Sequence, residues 1–487
     1  MDRISEGAVM EGISEFFKSA GRYFSDFGHA IVSGDWAVRL SLVIMGAGYF
    51  KRHQIIRGII MTVIEAVVII YAVVIGVPYL SKFGTLGTVQ REQVFNLNTM
   101  KNEFNDYDNS FLILLFGIIS IVILTAAVFF YIRNIKEVYR LQKLEEAGKH
   151  INSFRDDIKE LRNQKFYITL LTLPVLGIIV FTVIPLIVMI FVAFTDYDQN
   201  HMPPAALFTW VGLDNFKAMF STELTTTFAY SFRTVIVWTI VWAFFATFTC
   251  YFGGIFLSLL INNKNTKWPK FWRTLFVITI AVPQFVSLLL VRNFFANTGI
   301  VNTVCANTGV TAFLKSIWLV RSGLTYIPFL SSPGWAKVMI ILINIWVGVP
   351  YLMLIATGVL MNIPTDLSEA ARIDGASKIQ IFNNITMPYM LFVTGPYLVT
   401  SFVANINNFN IIYLLTQDVY NTTDQKLANS SAKEVDLLVT WLYRLTQDKY
   451  NYKMASVIGI LVFIICSALT LIAFNSLIKG DREEEFR

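Results

Sequence analysis

Runs of about 20 apolar residues recur along this chain, divided by loops in which the charges collect. No other feature constrains the fold as tightly. Inside a bilayer a backbone group finds no water to bond, so runs this long and this uniformly apolar must be helical. A helix rises about 1.5 Å per residue, so about 20 residues cover the roughly 30 Å hydrocarbon core. The pattern predicts eight spans: 58–78, 111–131, 167–194, 231–262, 273–291, 337–361, 389–412 and 455–478. The fourth is too long for a perpendicular crossing and must tilt or extend past the membrane. Composition agrees, with 55% hydrophobic residues and 15% charged, against roughly 25% charged in soluble domains. The expected fold class is an all-α polytopic membrane protein of about eight transmembrane helices.

The net charge of +6 does not point to nucleic acid, because the basic residues sit in loops beside apolar spans, where they set topology. With both termini inside, the cytoplasmic side holds 25 of the 39 Lys and Arg, nine of them in 132–166. The reverse orientation places that excess outside. The organisation read from the sequence is a cytoplasmic amphipathic or interfacial segment 1–57, a helix pair 58–131 and a charged cytoplasmic linker 132–166. A core 167–478 and a tail 479–487 follow. In the first segment Ile13, Phe16, Phe17, Tyr23, Phe24 and Phe27 alternate with charges, which suggests a helix on the membrane surface. Segment 40–50 is apolar but too short to span, so an interfacial or re-entrant course is expected. Segment 132–166 reads as a solvated helical linker.

Little here suggests bond-making chemistry. Cys250, Cys305 and Cys466 lie far apart without metal-ligand spacing, and the four histidines are scattered, so no metal site is expected. The charged N-terminus does not read as a cleaved signal peptide. Glu65, inside the first span, allows a proton relay, but pairing within the bundle or a protonated side chain is the plainer reading.

The stretch from Ile363 to Pro388, IPTDLSEAARIDGASKIQIFNNITMP, reads as a cytoplasmic helix–turn–helix between two spans. Pro364 ends the preceding span. Asp366 is placed to cap a new helix, with Glu369 following as in a capping box. Ala370 and Ala371 give a close-approach face. Asp374-Gly375 supplies the break, because glycine tolerates the left-handed conformation. Ser377 caps a second short helix, and Pro388 suits the first turn of the next span.

Two spans carry polar residues that a lipid-facing helix would not. Asn344, Gly348 and Tyr351 are spaced i, i+4 and i+7, and so are Ser401, Asn405 and Asn408. Amides in a membrane need a partner in protein, water or ligand. Each asparagine alone reads as glue between helices, whereas the two matched stripes together read as the lining of a polar path. Amides, hydroxyls and aromatic faces suit a sugar, and a cation path would favour carboxylates, which the stripes lack.

The pattern Glu369-Ala370-Ala371, Asp374-Gly375-Ala376, Phe382, Ile385 and Pro388 resembles the EAA loop of binding-protein-dependent ABC importer permeases, departing at Met387 where leucine is usual. That resemblance implies a six-helix type I importer core in 167–478. It also implies that Glu369, Ala370, Ala371, Asp374 and Gly375 couple the loop 362–388 to a separate ATPase subunit dimer, which binds the ATP and Mg. No GxxxxGK[ST] phosphate loop occurs here, so the chain is expected to be no enzyme and to hold no cofactor of its own. Over about 165–478 the chain is similar to MalF-type maltose/maltodextrin permeases, through NIWVGVPY, SFVANINNFN, IYLLT, VTWLYRLT and FTDYD. This implies sugar contacts at Asn344, Val347, Gly348, Tyr351, Ser401, Asn405 and Asn408. It further implies a second, MalG-like permease subunit and an extracellular sugar-binding protein. Ala404 departs from the larger aromatic residue found there in the best-known member of the family. The outer loop 195–230 is short, which favours a Gram-positive system with a lipid-anchored binding protein. Outer segments 292–336 and 413–453 are expected to meet that protein.

The expected function is therefore import of an oligosaccharide by alternating access through the cell membrane. The alternatives are an importer for galacto-oligosaccharides, an ion-coupled secondary carrier supported by Glu65 and the polar helix faces, and a membrane scaffold without transport.

Overall fold

The structure is a computed structural model and describes residue 21, residue 23 and residues 25–97, 100–221, 227–263 and 265–478. Most of the expected surface helix in 1–35, including Ile13, Phe16, Phe17 and Phe24, lies outside the described residues, as does the tail 479–487. The chain divides into two compact units, Met1–Trp210 and Val211–Arg487, whereas the sequence grouping places the core boundary at 166/167. Among the described residues seven helices are long and apolar enough to cross a membrane, and a bent pair makes an eighth if counted as one span.

The first unit holds α1 (Ile55–Phe83), α2 (Ser110–Glu146) and α3 (Phe166–Val192). The segment between α1 and α2, for which the sequence predicts no span, forms an antiparallel hairpin, β1 (Gln93–Asn96) and β2 (Lys101–Phe104). Helix α2 runs well past the predicted end at 131. Its extension is not a simply solvated linker, because Ile135, Val138 and Leu141 are buried against Ala30, Val38 and Tyr49. The sparse apolar residues of 132–144 recur at helical spacing, and this single face is enough to dock the folded segment before α1. Segment 40–50 contributes turns and the start of a short helix, Ala47–Lys51, whose Gly48 lies against Val138. Asp35 caps the helix Trp36–Leu40 by accepting from Val38 N at 2.8 Å. Burial pushes the Asp35 carboxyl up, but Lys51, the Val38 N–H and Arg52 outweigh it and hold the group below the ordinary carboxylate value.

The second unit is built around α4 (Thr227–Ile261), at 35 residues the longest of its helices. Against it pack α7 (Pro333–Met361) and α9 (Met387–Ile406). The predicted span 273–291 is not one straight helix: α5 (Pro269–Ala281) and α6 (Gln284–Phe294) meet at 93°. Pro283 explains the break. It lacks an N–H, and its ring drives the preceding Val282 out of the helical region, to φ −79° and ψ 127°. The predicted span 389–412 also breaks, at Asn407-Asn408, before α10 (Phe409–Thr416). Helix α11 (Leu438–Gln447) and the last span, α12 (Tyr452–Ile478), complete the unit. Segments 292–336 and 413–453 are folded rather than loose. Val320, Ile327, Leu330, Val435 and Leu437 form one core with Trp238, Trp242 and Ile340 of the long helices, Leu288 of α6 and Ile411 of α10.

Three long helices contain a five-residue wide turn of the π type, at Ala72–Gly76, Ile179–Val183 and Phe382–Thr386. Each lies two residues before a proline: Pro78, Pro185 or Pro388. A proline ring clashes with the carbonyl four residues back, which falls in the middle of each wide turn, so the widened backbone lets the helix continue.

Candidate functional site: the projecting loop and the polar helix faces

Between α7 and α9 the chain turns through α8 (Thr365–Ile373), a short helix with very little of its surface covered. Pro364 occupies the N-cap position and no side chain caps the helix. Asp366 is therefore not the cap expected from the sequence. It lies in the first turn, where its charge still suits the helix dipole. Gly375 has φ +83° and makes the break. Ser377 caps the next turn in a capping box with Gln380. That turn then runs without interruption into α9, so the second short helix is the inner end of a span. Glu369, Ala370, Asp374 and Gly375 are exposed and Ala371 is half-buried. Among the described residues Glu369 has no ion pair. Leu367, Ile373 and Ile379 are exposed by 50%, 86% and 72%, an uncovered apolar surface at the tip.

The polar stripes divide into two kinds. Asn344 is buried, and its Nδ2 donates to Ala246 O and to Cys250 Sγ, each at 3.3 Å. Gly348 lies against the same cysteine. These two residues therefore face α4. Val347 and Tyr351 instead line a cavity of about 260 Å³ at the α5–α6 bend, with Thr279, Gln284, Ser287 and Trp346. On α9, Asn405 Nδ2 donates to Thr247 Oγ1 of α4 at 3.0 Å. Asn408 does not continue the α9 face. It stands past the break, capping α10 through Ile411 N, and its Nδ2 donates to Asn405 Oδ1 at 3.2 Å. Ser401 is half-buried one turn before Asn405, and Ala404 is exposed.

Helix α4 is thus fastened to both polar helices. Tyr251 shares a hydrogen bond with Thr394 of α9 at 2.8 Å, and Ser258 shares one with Thr357 of α7 at 2.8 Å. The bend at Pro283 and its cavity were missed in the sequence. The signal available was a proline in the middle of an apolar run, next to Gln284 and Ser287. Glu65 accepts from Met45 N at 2.8 Å, which is pairing inside the bundle.

Residues 252–480, which include the projecting loop and both polar helices, match the family described as binding-protein-dependent transport system inner membrane component. The galactooligosaccharides transport system permease protein of Bacillus subtilis is 32% identical over 91% of this chain and 97% of its own length. The chain belongs to this family of transport permeases. The maltodextrin transport system permease proteins of Streptococcus pneumoniae (strain TIGR4) and of Bacillus subtilis are 32% and 31% identical, over 91% and 94% of this chain and 96% and 99% of their own. A solved bacterial ABC transporter for alginate import aligns at TM-score 0.49 with 22% identity, over 66% of this chain and 98% of that one, too distant to carry an argument. As a permease of this family the chain is a multi-pass membrane protein, and its loop 362–388 lies within the matched region.

Proposed function

We propose that this permease moves a neutral oligosaccharide of the maltodextrin or galacto-oligosaccharide class inward by alternating access. A separate ATPase dimer binds ATP and Mg and drives it, a second permease subunit completes the path, and an extracellular sugar-binding protein delivers the cargo. The observation that carries this reading is the projecting helix α8, whose Glu369 has no ion pair among the described residues and whose neighbours Leu367 and Ile373 are left uncovered. A short helix that keeps apolar side chains in water is built to enter a cleft on another protein. Glu369 supplies the charge for a basic residue there, and Ala370 and Ala371 allow close approach. Gly375 fixes the angle at which the helix leaves α9.

On the transport side, Tyr351, Ser401, Asn405 and Asn408 offer aromatic, hydroxyl and amide groups and Val347 an aliphatic one, with no carboxylate among them. That set suits uncharged sugar hydroxyls and pyranose faces. Asn344 and Gly348 hold α7 against α4 and act on the path through its geometry. Against the ion-coupled alternative, the Glu65 side chain accepts from the Met45 N–H, which agrees with pairing inside the bundle. We place both termini and the α8 loop in the cytoplasm of a Gram-positive cell, by the distribution of Lys and Arg and the short 195–230 segment.

Reconstitution tests the proposal. Vesicles holding this chain with its partner permease and ATPase should take up maltodextrins or galacto-oligosaccharides only with ATP inside and loaded binding protein outside. Uptake by this chain alone, driven by an ion gradient, would refute it.

A further inference from the structure

The first unit contains a second cavity, of about 720 Å³, which the transport reading does not use. It opens between α1, the extension of α2 and the helix Phe154–Arg162. Its position is marked by where two antiparallel spans lose their apolar character. Helix α1 begins at Ile55 with Arg57 in its first turn, and the apolar stretch of α2 ends at Ile132, directly before Arg133. Met61 and Phe130 line the cavity on the lipid side of that level, and Arg57, Arg133, Arg140 and Lys165 line it on the aqueous side.

Its carboxylates are already engaged. Arg57 lies 3.6 Å from Glu137 and 3.4 Å from Asp157, Arg140 lies 2.8 Å from Glu137, and Lys165 lies 2.9 Å from Glu160. Arg133 has no ion pair among the described residues, and it is exposed. A guanidinium without an anion therefore stands at the lip of a cavity whose rim changes from apolar to charged across a few ångströms. A phosphate mono- or diester carried on an acyl chain has the same polarity profile: an anion that accepts Arg in a bidentate fork, then apolar matter.

We propose that this cavity receives the phosphate-bearing headgroup of an anionic membrane lipid. Arg133 meets the phosphate, Arg140 lies two helical turns further out in its ion pair with Glu137, and Met61 and Phe130 border the start of the acyl chains. The site lies on the helix pair outside the family-matched region, so it gives these first two spans a task of their own: to sense or hold lipid.

The test is a native mass-spectrometric titration of the full chain in neutral detergent, with phosphatidylglycerol, phosphatidylcholine and inorganic phosphate as probes. Phosphatidylglycerol should bind more tightly than phosphatidylcholine. Arg133→Gln should weaken phosphatidylglycerol by about fivefold, the effect of one basic residue at a membrane surface, and leave phosphatidylcholine unchanged. Arg133→Lys should retain most of the binding, which separates lost charge from lost folding. Lys217→Gln, an exposed charge of the second unit, should change nothing. Equal affinity for the two lipids, or an Arg133→Gln titration that matches the parent, overturns the proposal. Displacement of the lipid by inorganic phosphate overturns the lipid assignment and makes the ligand a soluble phosphate.

Discussion

Gly348 of α7 lies so close to Cys250 of α4 that a Cβ added at the glycine would sit 2.7 Å from the sulfur. One turn earlier Asn344 donates to that same sulfur at 3.3 Å. The cysteine is thus the point at which two neighbouring α7 residues are set, and its size fixes the spacing of the helices. Gly348→Ala should destabilise the permease by about 1–3 kcal/mol through overpacking. Cys250→Ala should recover part of that loss when combined with it, since the two sites share one contact. Thermal unfolding of the two single variants and the double variant in detergent checks this; simple additivity would mean the contact does not matter.

Asn344 and Tyr351 sit on one helix and should fail in different ways. Asn344→Ala removes two hydrogen bonds to α4 and should cost about 0.6–2 kcal/mol of stability for each. Tyr351→Ala removes a half-exposed side chain at the rim of a cavity. It should leave unfolding within about 0.5 kcal/mol and still reduce uptake of sugar. Paired measurements of melting and transport distinguish glue from path, and a stable, fully active Tyr351→Ala would remove this residue from the path.

Gly375 stands at φ +83° with nothing within 4 Å of an added Cβ. Proline there requires φ near −65°, so Gly375→Pro should turn α8 away from its present direction. A bulky residue at Ala371 should block its approach to a partner instead. Both variants should insert and fold as the parent does, because the loop is exposed, yet abolish sugar-stimulated ATP hydrolysis in the assembled complex. Normal coupled hydrolysis by either one would contradict the assigned role.

Asp436 is fully buried beside Arg444, whose Nε donates to it at 3.1 Å, and it also accepts from Thr440 Oγ1 at 3.0 Å. Burial pushes the Asp436 carboxyl up, while Arg444, the Lys433 N–H and Thr440 oppose the rise. Asp436→Ala leaves the guanidinium buried without its anion and should cost about 3–5 kcal/mol. Replacing both residues by apolar ones should cost much less. A denaturation series on the three variants checks this.

Much of this architecture was legible in the sequence because a bilayer imposes one rule on every span. The apolar runs located seven helices, and glycine and serine chemistry located the break at Gly375 and the cap at Ser377. The departures have local causes that periodicity does not register. At Asn407-Asn408 an asparagine side chain replaces a backbone partner, so a break falls inside what reads as one apolar run. At Pro283 the helix bends by 93°, although proline elsewhere, as at Pro350 and Pro396, is carried within a helix. Sequence spacing alone does not separate those cases. The side chains of the site were legible as types and not as directions: Asn344 and Tyr351 share a spacing, yet one bonds α4 and the other borders a cavity.

The wide turn at Phe382–Thr386 stands between the exposed loop and the half of α9 that carries Asn405. Such a turn holds one residue more than an α-helical turn, which leaves the backbone one residue of slack. Taking up that slack rotates everything beyond it by about 100° and displaces it by about 1.5 Å. If α8 takes the coupling role proposed above, a pull at Glu369 has a place to become torsion before it reaches Asn405.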